Sequence, residues 1–326
     1  MRYLTLVLLA ALAAAPALPA QARRDRDRDR EKQREMRDEH DDRDDRDEDD
    51  ADEYASRLDT TLALGRGGTV DLSLVSGEMI VRAWPRDEVK IHATSEHGTL
   101  RLDASPSRVS LDVRSYHGRM GDTRFELNVP VGARLLLRSI SGEIEATGSK
   151  GEVEAHSVSG DIHVEDAAQR VSLESVSGGV TARRLAGDVR VNAISGDLDV
   201  DGVNGDLAAE TVSGEVQLQN VQSKYVRVET VSGTVEYQGS ADPSGRYEFH
   251  SHSGDLRLTL PGGAGAVFNV ETFSGSLDSD TPITLEPRDD ERGARPKRFS
   301  FTMGGGGARI IAETFSGDIT IQHGGK

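Results

Sequence analysis

The sequence predicts an all-β chain built as a single-chain parallel β-solenoid (β-helix), with about 18–21 residues per turn and two short strands per turn. Three observations predict it. A short phrase returns at a fixed interval: S-I-S-G-E-I, S-V-S-G-D-I, S-V-S-G-G-V, A-I-S-G-D-L, T-V-S-G-E-V, T-V-S-G-T-V. Its glycines, Gly142, Gly160, Gly178, Gly196 and Gly214, recur with a period of 18, and Gly233 follows after 19. Each copy alternates as a strand does, with Ile144, Ile162, Val180, Leu198, Val216 and Val235 two places after the glycine. One copy has too few apolar side chains to form a core, so the copies must stack and share one.

The second strand of each turn begins about nine residues after the first, at Val153 and Ala155, Val171 and Leu173, Val189 and Val191, Leu207 and Ala209, and Val226 and Val228. A small residue (Ser139, Ser157, Ser175, Ala193, Thr211, Thr230) and then an apolar one (Ile140, Val158, Val176, Ile194, Val212, Val231) lead into each Ser-Gly. This reads as a corner at which both residues lean inward, with glycine allowing the bend or a close backbone approach.

In chain order, residues 1–22 read as a secretory signal peptide. Arg2 is the one charge, Leu4 to Ala15 is apolar, and Ala20-Gln21-Ala22 offers small residues for cleavage. Pro16 and Pro19 interrupt the run, which argues against a membrane-spanning anchor. Residues 23–55 form a charged arm, alternating Arg-Asp and then an acidic block, with nothing to offset the entropy of ordering it. A disordered spacer is expected, weak divalent-cation capture or contact with a basic surface being the alternatives.

Residues 56–135 are read as irregular N-terminal β turns that cap the solenoid. Strands are expected over Val70–Leu74, Met79–Val81, Val89–Ala93, Leu100–Leu102, Val109–Val113 and Phe125–Val129, and Val75-Ser76-Gly77-Glu78 already carries the phrase. Residues 136–326 are the regular part, with a loop insertion at 282–298 that holds Arg288, Arg292, Arg295, Lys297 and Arg298. Past Gly233 the interval lengthens to 21 at Gly254 and Gly275, and Gly317 follows after twice that interval. Nine of the 13 Tyr and Phe residues follow Lys224, as a broadening section needs larger fillers.

A net charge of -17 argues against nucleic acid, whose phosphates it would repel. The absence of cysteine removes disulfides, thiolate metal sites and a lipid-anchoring cysteine. The recurring serines, such as Ser141, Ser159 and Ser177, read as corner punctuation, because near-copies of one residue cannot each have a base and an oxyanion site. Glu143, Asp161, Asp197, Glu215, Asp255 and Asp318 should stack about 4.8 Å apart, a column that could ligate cations but is interrupted by Gly179, Thr234 and Ser276. His250 and His252 lack a third ligand at zinc spacing. Sugar platforms are scarce, Trp84 being the one tryptophan. No catalytic, cofactor-binding or metal-binding residue is therefore assigned, and no cofactor is expected.

With S-V-S-G-D-I, E-T-V-S-G-E-V and E-T-F-S-G-D-I in view, the chain resembles the bacterial β-strand-repeat domains known as the putative-adhesin or toast-rack family, a domain of unknown function. The likeness runs from about Leu58 to His323 and includes Phe125-Glu126-Leu127-Asn128-Val129-Pro130 and the closing E-T-F-S-G-D-I-T-I. It implies a right-handed parallel β-solenoid in exported or envelope-associated proteins, with no catalytic residues to carry over. The expected function is a non-catalytic, adhesin-like scaffold in the periplasm or outside the cell. It would bind an envelope protein or polysaccharide and have no transmembrane anchor in the mature chain. Alternatives are an accessory or sensory protein of an envelope-stress module and a polysaccharide-active β-helix enzyme.

Overall fold

The computed structural model describes residues 56–114, 121–280 and 297–324, all within the unit Tyr54–Lys326. The expected leader 1–22, the charged arm 23–55 and the loop 282–298, apart from Lys297 and Arg298, lie outside the described residues.

The described residues are all β, with no helix. The first strands are β1 (Ser56–Ala63), β2 (Thr69–Leu74), β3 (Gly77–Trp84), β4 (Glu88–Ser95), β5 (Thr99–Ser105), β6 (Arg108–Arg114) and β7 (Thr123–Pro130). The regular part follows as β8 (Arg134–Ser139), β9 (Glu143–Thr147), β10 (Val153–Ser157), β11 (Ile162–Glu165), β12 (Arg170–Ser175), β13 (Val180–Ser195), β14 (Leu198–Ser213), β15 (Val216–Val221), β16 (Tyr225–Ser232) and β17 (Val235–Gly239). The last are β18 (Arg246–Ser253), β19 (Leu256–Pro261), β20 (Ala266–Ser274), β21 (Leu277–Ser279), β22 (Lys297–Met303), β23 (Ala308–Ser316) and β24 (Ile319–Gly324). The six strands expected before residue 130 all form, and β1 was not anticipated.

Equivalent strands of successive copies pair in parallel. Ile162 lies opposite Val180, Val180 opposite Leu198, and Leu198 opposite Val216. On the second strand Val153 meets Val171, Val171 meets Val189, and Val189 meets Leu207. These residues are buried in one continuous apolar cluster, so equal spacing in sequence becomes a column of like side chains. Toward the C-terminus the fillers enlarge to Tyr237, Tyr247, Phe249 and Phe268, all fully buried. The Tyr247 hydroxyl donates to the Ser223 carbonyl at 2.6 Å, and the Tyr237 hydroxyl donates to the Ser240 carbonyl at 2.8 Å. Burial raises the pKa of both phenols.

The repeated glycine is required by backbone contact. A Cβ built on Gly160 would collide with the carbonyl oxygen of Gly142, one on Gly178 with that of Gly160, and one on Gly196 with that of Gly178. Consecutive coils therefore touch backbone to backbone at this corner. A second corner lies six residues on, where Gly148, Asp166, Arg184, Gly202 and Asn220 all have positive φ. The sequence hides it because three of its five occupants are not glycine. Asp166 and Arg184 are held by each other, with Arg184 Nε and Nη2 donating to the Asp166 carboxylate at 2.7 and 2.8 Å.

Coil order departs from sequence order at both ends of the stack. The coil carrying Val75-Ser76-Gly77 is interior, since β2 pairs with both β6 and β8, and β3 with both β7 and β9. The chain leaves this coil, forms β4, β5 and the outer coil β6/β7, and only then starts the regular series. The last two coils are likewise out of sequence order. β23/β24 pairs with β18/β19 on one side and β20/β21 on the other, so Gly317 stacks on Gly254 and Gly275 stacks on Gly317. Antiparallel pairs finish each end: β1 with β4, β4 with β7 and β5 with β6 at one, β20 with β22 at the other. Lys297 and Arg298, expected in a loop, belong to β22. The end coils have no further copy to cover their edges, and antiparallel strands supply the missing partner.

Candidate functional site: an apolar ridge beside the glycine corner

The residues leading into Ser-Gly do not both lean inward. In β10, Ala155 and Ser157 are buried, and Val158 points out. Strand alternation simply continues to the bend, because the inward place is needed by the small hydroxyl residue. Ser139, Ser157 and Ser175 accept the N–H of Gly142, Gly160 and Gly178 at 2.7, 2.9 and 2.9 Å. After Ala193, which has no such acceptor, the corner changes form. Gly214, Gly233, Gly254 and Gly317 take positive φ and donate their N–H to the serine carbonyl of the adjoining coil at 2.9–3.2 Å.

The consequence is a row of exposed apolar side chains. Ile140, Val158, Val176, Ile194, Val212 and Val231 are each 41–50% exposed and follow one another coil by coil. Val75 precedes them, half-buried. At the other end the row turns aromatic: the His252 ring stacks on Phe315 at 5.1 Å, and Phe315 on Phe273 at 4.9 Å, with planes within 7°. Phe273 and Phe315, expected as core fillers, are thus on the surface, 38% and 51% exposed.

Acids flank the ridge on both sides. After the glycine stand Glu143, Asp161, Asp197, Glu215, Asp255 and Asp318; on the second-strand side stand Glu174, Glu210, Glu229, Glu313 and Glu271. The aspartates have a structural task as well. Asp161 accepts the N–H of Gly179, Asp197 that of Glu215, and Asp255 that of Asp318, at 2.8–2.9 Å. Asp318 accepts both the N–H and the hydroxyl of Ser276 at 2.8 Å, and these bonds hold its carboxyl below the ordinary carboxylate range. The short aspartate reaches the next coil's backbone where glutamate would overshoot. Beside the ridge runs a groove of about 660 Å³ between Asn192, Glu210, Glu229 and His250 and the row Ile194, Val212, Val231 and His252.

The other candidates from the sequence fall as follows. The corner serines form a row paired backbone to backbone, Ser195 opposite Ser213 and Ser213 opposite Ser232. His250 Nδ1 lies 3.1 Å from Glu313, and His252 is exposed in the aromatic stack. Among the described residues no three His, Cys, Asp or Glu side chains are grouped to hold a metal ion. Trp84 has Arg86 over its ring at 4.7 Å and donates its indole N–H to the Glu88 carbonyl at 2.7 Å. Among the described residues no helix is long and apolar enough to cross a membrane. The ridge was legible in principle, since alternation counted from the buried Ala155 puts Val158 outside.

The Toastrack DUF4097 family model matches residues 147–322, a span that holds every rung of the ridge from Val158 to Phe315 and leaves out Val75 and Ile140. The chain belongs to the Toastrack family. No curated protein matches it. Three solved structures are similar to this Toastrack chain. A "putative cell adhesion protein" from Clostridium sporogenes is 11% identical, with 82% of this chain and 100% of the other covered and a TM-score of 0.23. A "putative adhesin" from Bacteroides fragilis is 10% identical over 82% and 97%, with a TM-score of 0.38. A "putative lipid binding protein" from Parabacteroides distasonis is 10% identical over 83% and 97%, with a TM-score of 0.29.

Proposed function

We propose that this Toastrack protein is an exported, non-catalytic scaffold that binds an envelope or cell-surface component, adhesin-like in that sense. In this reading residues 1–22 are a leader, 23–55 a charged spacer, and the rest one single-chain parallel β-solenoid with two short strands per turn. The observation that carries it is the apolar ridge. Outward β-branched residues can reflect strand propensity alone, but the neighbouring outward positions are polar. His156, Glu174, Asn192 and Glu210 stand two places before the ridge residue, and Ser159, Ser177, Ser195 and Ser213 one place after it. Among the described residues only one outward column is apolar in coil after coil, and a contiguous exposed apolar strip marks an interaction surface.

The test is capture from envelope extracts with the leaderless chain and with a Val176→Ser/Val212→Ser/Val231→Ser variant. A component retained by the first and lost by the second is the expected result. Equal retention by both, or none by either, overturns the assignment.

A further inference from the structure

The chemistry of the strip on both sides of the ridge says what kind of partner it fits, and this inference rests on the ridge being a binding surface. We propose that the ridge takes a basic amphipathic helix of another protein, its apolar stripe on the aliphatic rungs and its Lys or Arg side chains against the flanking acids.

Charge is the first argument. Among the described residues eleven carboxylates border the ridge, and the cations beside them are Arg138, Arg227, Arg257, Arg298 and Lys297, which leaves an excess of six negative charges there. Among the described residues, Glu174, Asp197, Glu210 and Glu215, around Val176, Ile194 and Val212, have no Arg or Lys ion pair. Like charges in rows repel, and a cationic partner relieves this while a second copy of the chain or an anionic lipid surface would add to it.

Spacing is the second argument. The rungs lie about 4.8 Å apart, as neighbouring strands do. A helix presents one side chain per turn along a face every ~5.4 Å, so over the six aliphatic rungs the mismatch accumulates to only ~3 Å, within the reach of a flexible side chain. An extended strand repeats a face every ~6.7 Å and falls out of step within two rungs. The aliphatic rungs from Ile140 to Val231 therefore span about 24 Å, or four to five helical turns.

The experiment titrates the leaderless chain into a fluorescent peptide of about 20 residues in which Leu and Lys are placed at helical spacing, with a Leu/Glu peptide of the same pattern as control. The Leu/Lys peptide is expected to bind and to become helical, while the Leu/Glu peptide does not bind. Affinity should fall about tenfold or more in the Val176→Ser/Val212→Ser/Val231→Ser variant and in Glu174→Gln/Glu210→Gln/Glu215→Gln, which leaves the ridge packing intact. It should stay unchanged in Glu88→Gln/Asp103→Asn, which removes two exposed acids of the N-terminal strands β4 and β5 that are not among the eleven bordering the ridge. Binding that ignores the ridge variant, or falls equally in Glu88→Gln/Asp103→Asn, means a diffuse acidic sink and overturns the proposal. So does sedimentation as a dimer that the ridge variant abolishes, because the ridge is then filled by a second copy. If envelope capture depends on the ridge but the captured component has no basic helix, this proposal fails and the scaffold reading stands.

Discussion

At the scale of single residues, the glycines of the two corners look alike in sequence and differ in what constrains them. Gly178 is held by contact, since a Cβ there meets the carbonyl of Gly160, whereas Gly148 is held only by its φ of 83°, with its nearest neighbour 3.5 Å away. Gly178→Ala should therefore cost about 3 kcal/mol or more, because the neighbouring coil's backbone has to move. Gly148→Ala should cost only about 1 kcal/mol, the penalty for a left-handed residue. Chemical denaturation of the two variants measures the difference. Asp318 supplies a pH dependence. Its pKa is lowered in the fold, chiefly by the backbone N–H and also by the hydroxyl of Ser276, so its contribution is complete above the ordinary carboxylate range and is lost as pH falls through the lowered value. Asp318→Asn should flatten that part of the acid unfolding curve, and an NMR titration should place the Asp318 midpoint below that of an unperturbed aspartate.

At the scale of the element, the corner is one shape made in two ways. Ser139, Ser157 and Ser175, inside their bends, take the glycine N–H on the side-chain oxygen; where Thr211, Thr230, Ser251 or Thr314 sits there, the backbone of the adjoining coil takes it instead. Ser157→Ala should then lose about 1–2 kcal/mol, since the Gly160 N–H is left buried without an acceptor. Thr230→Val should be neutral or stabilising by about 1 kcal/mol, because the buried Thr230 hydroxyl has no hydrogen-bond partner. The two melting curves, shifted in opposite directions, check the account. Equal losses would mean that both hydroxyls are bonded.

At the scale of the whole molecule, the stack is closed at each end by a coil laid down out of sequence order. Both candidates for the place on β18/β19 carry the same words, E-T-F-S-G at 271–275 and at 313–317. The second occupies it and the first lies outside. Asp318 helps decide this, because its N–H reaches Asp255 and its carboxylate reaches Ser276, so it links the coils on both sides; Ser276 has no carboxylate to pass on. A chain shortened to end at Asp280 should place β20/β21 on β18/β19 in the register now held by β23/β24, with Phe273 stacking on His252. Cross-peaks between those two rings in NMR spectra test it, and a β20/β21 left unpaired would refute it.

What the sequence determined by itself was everything that repeats: the all-β class, the parallel stacking of Ile162, Val180, Leu198 and Val216, the strands before residue 130, and the membership that S-G-[DE]-[IVL] announces. A periodic core is local information copied many times, so each copy corrects the reading of the others. The tertiary structure alone decided which copy lies beside which at the ends, and it reversed the reading of which way the residue before Ser-Gly faces. Identical phrases offer identical hydrogen-bonding edges, so their order depends on contacts such as Asp318 with Asp255 that are distant in sequence. An apolar residue at a bend reads as core until the geometry shows that the inward place is already filled by Ser157 and its neighbours. The surface on which the proposed function rests was therefore present in the letters, but pointed outward only once the coils were stacked.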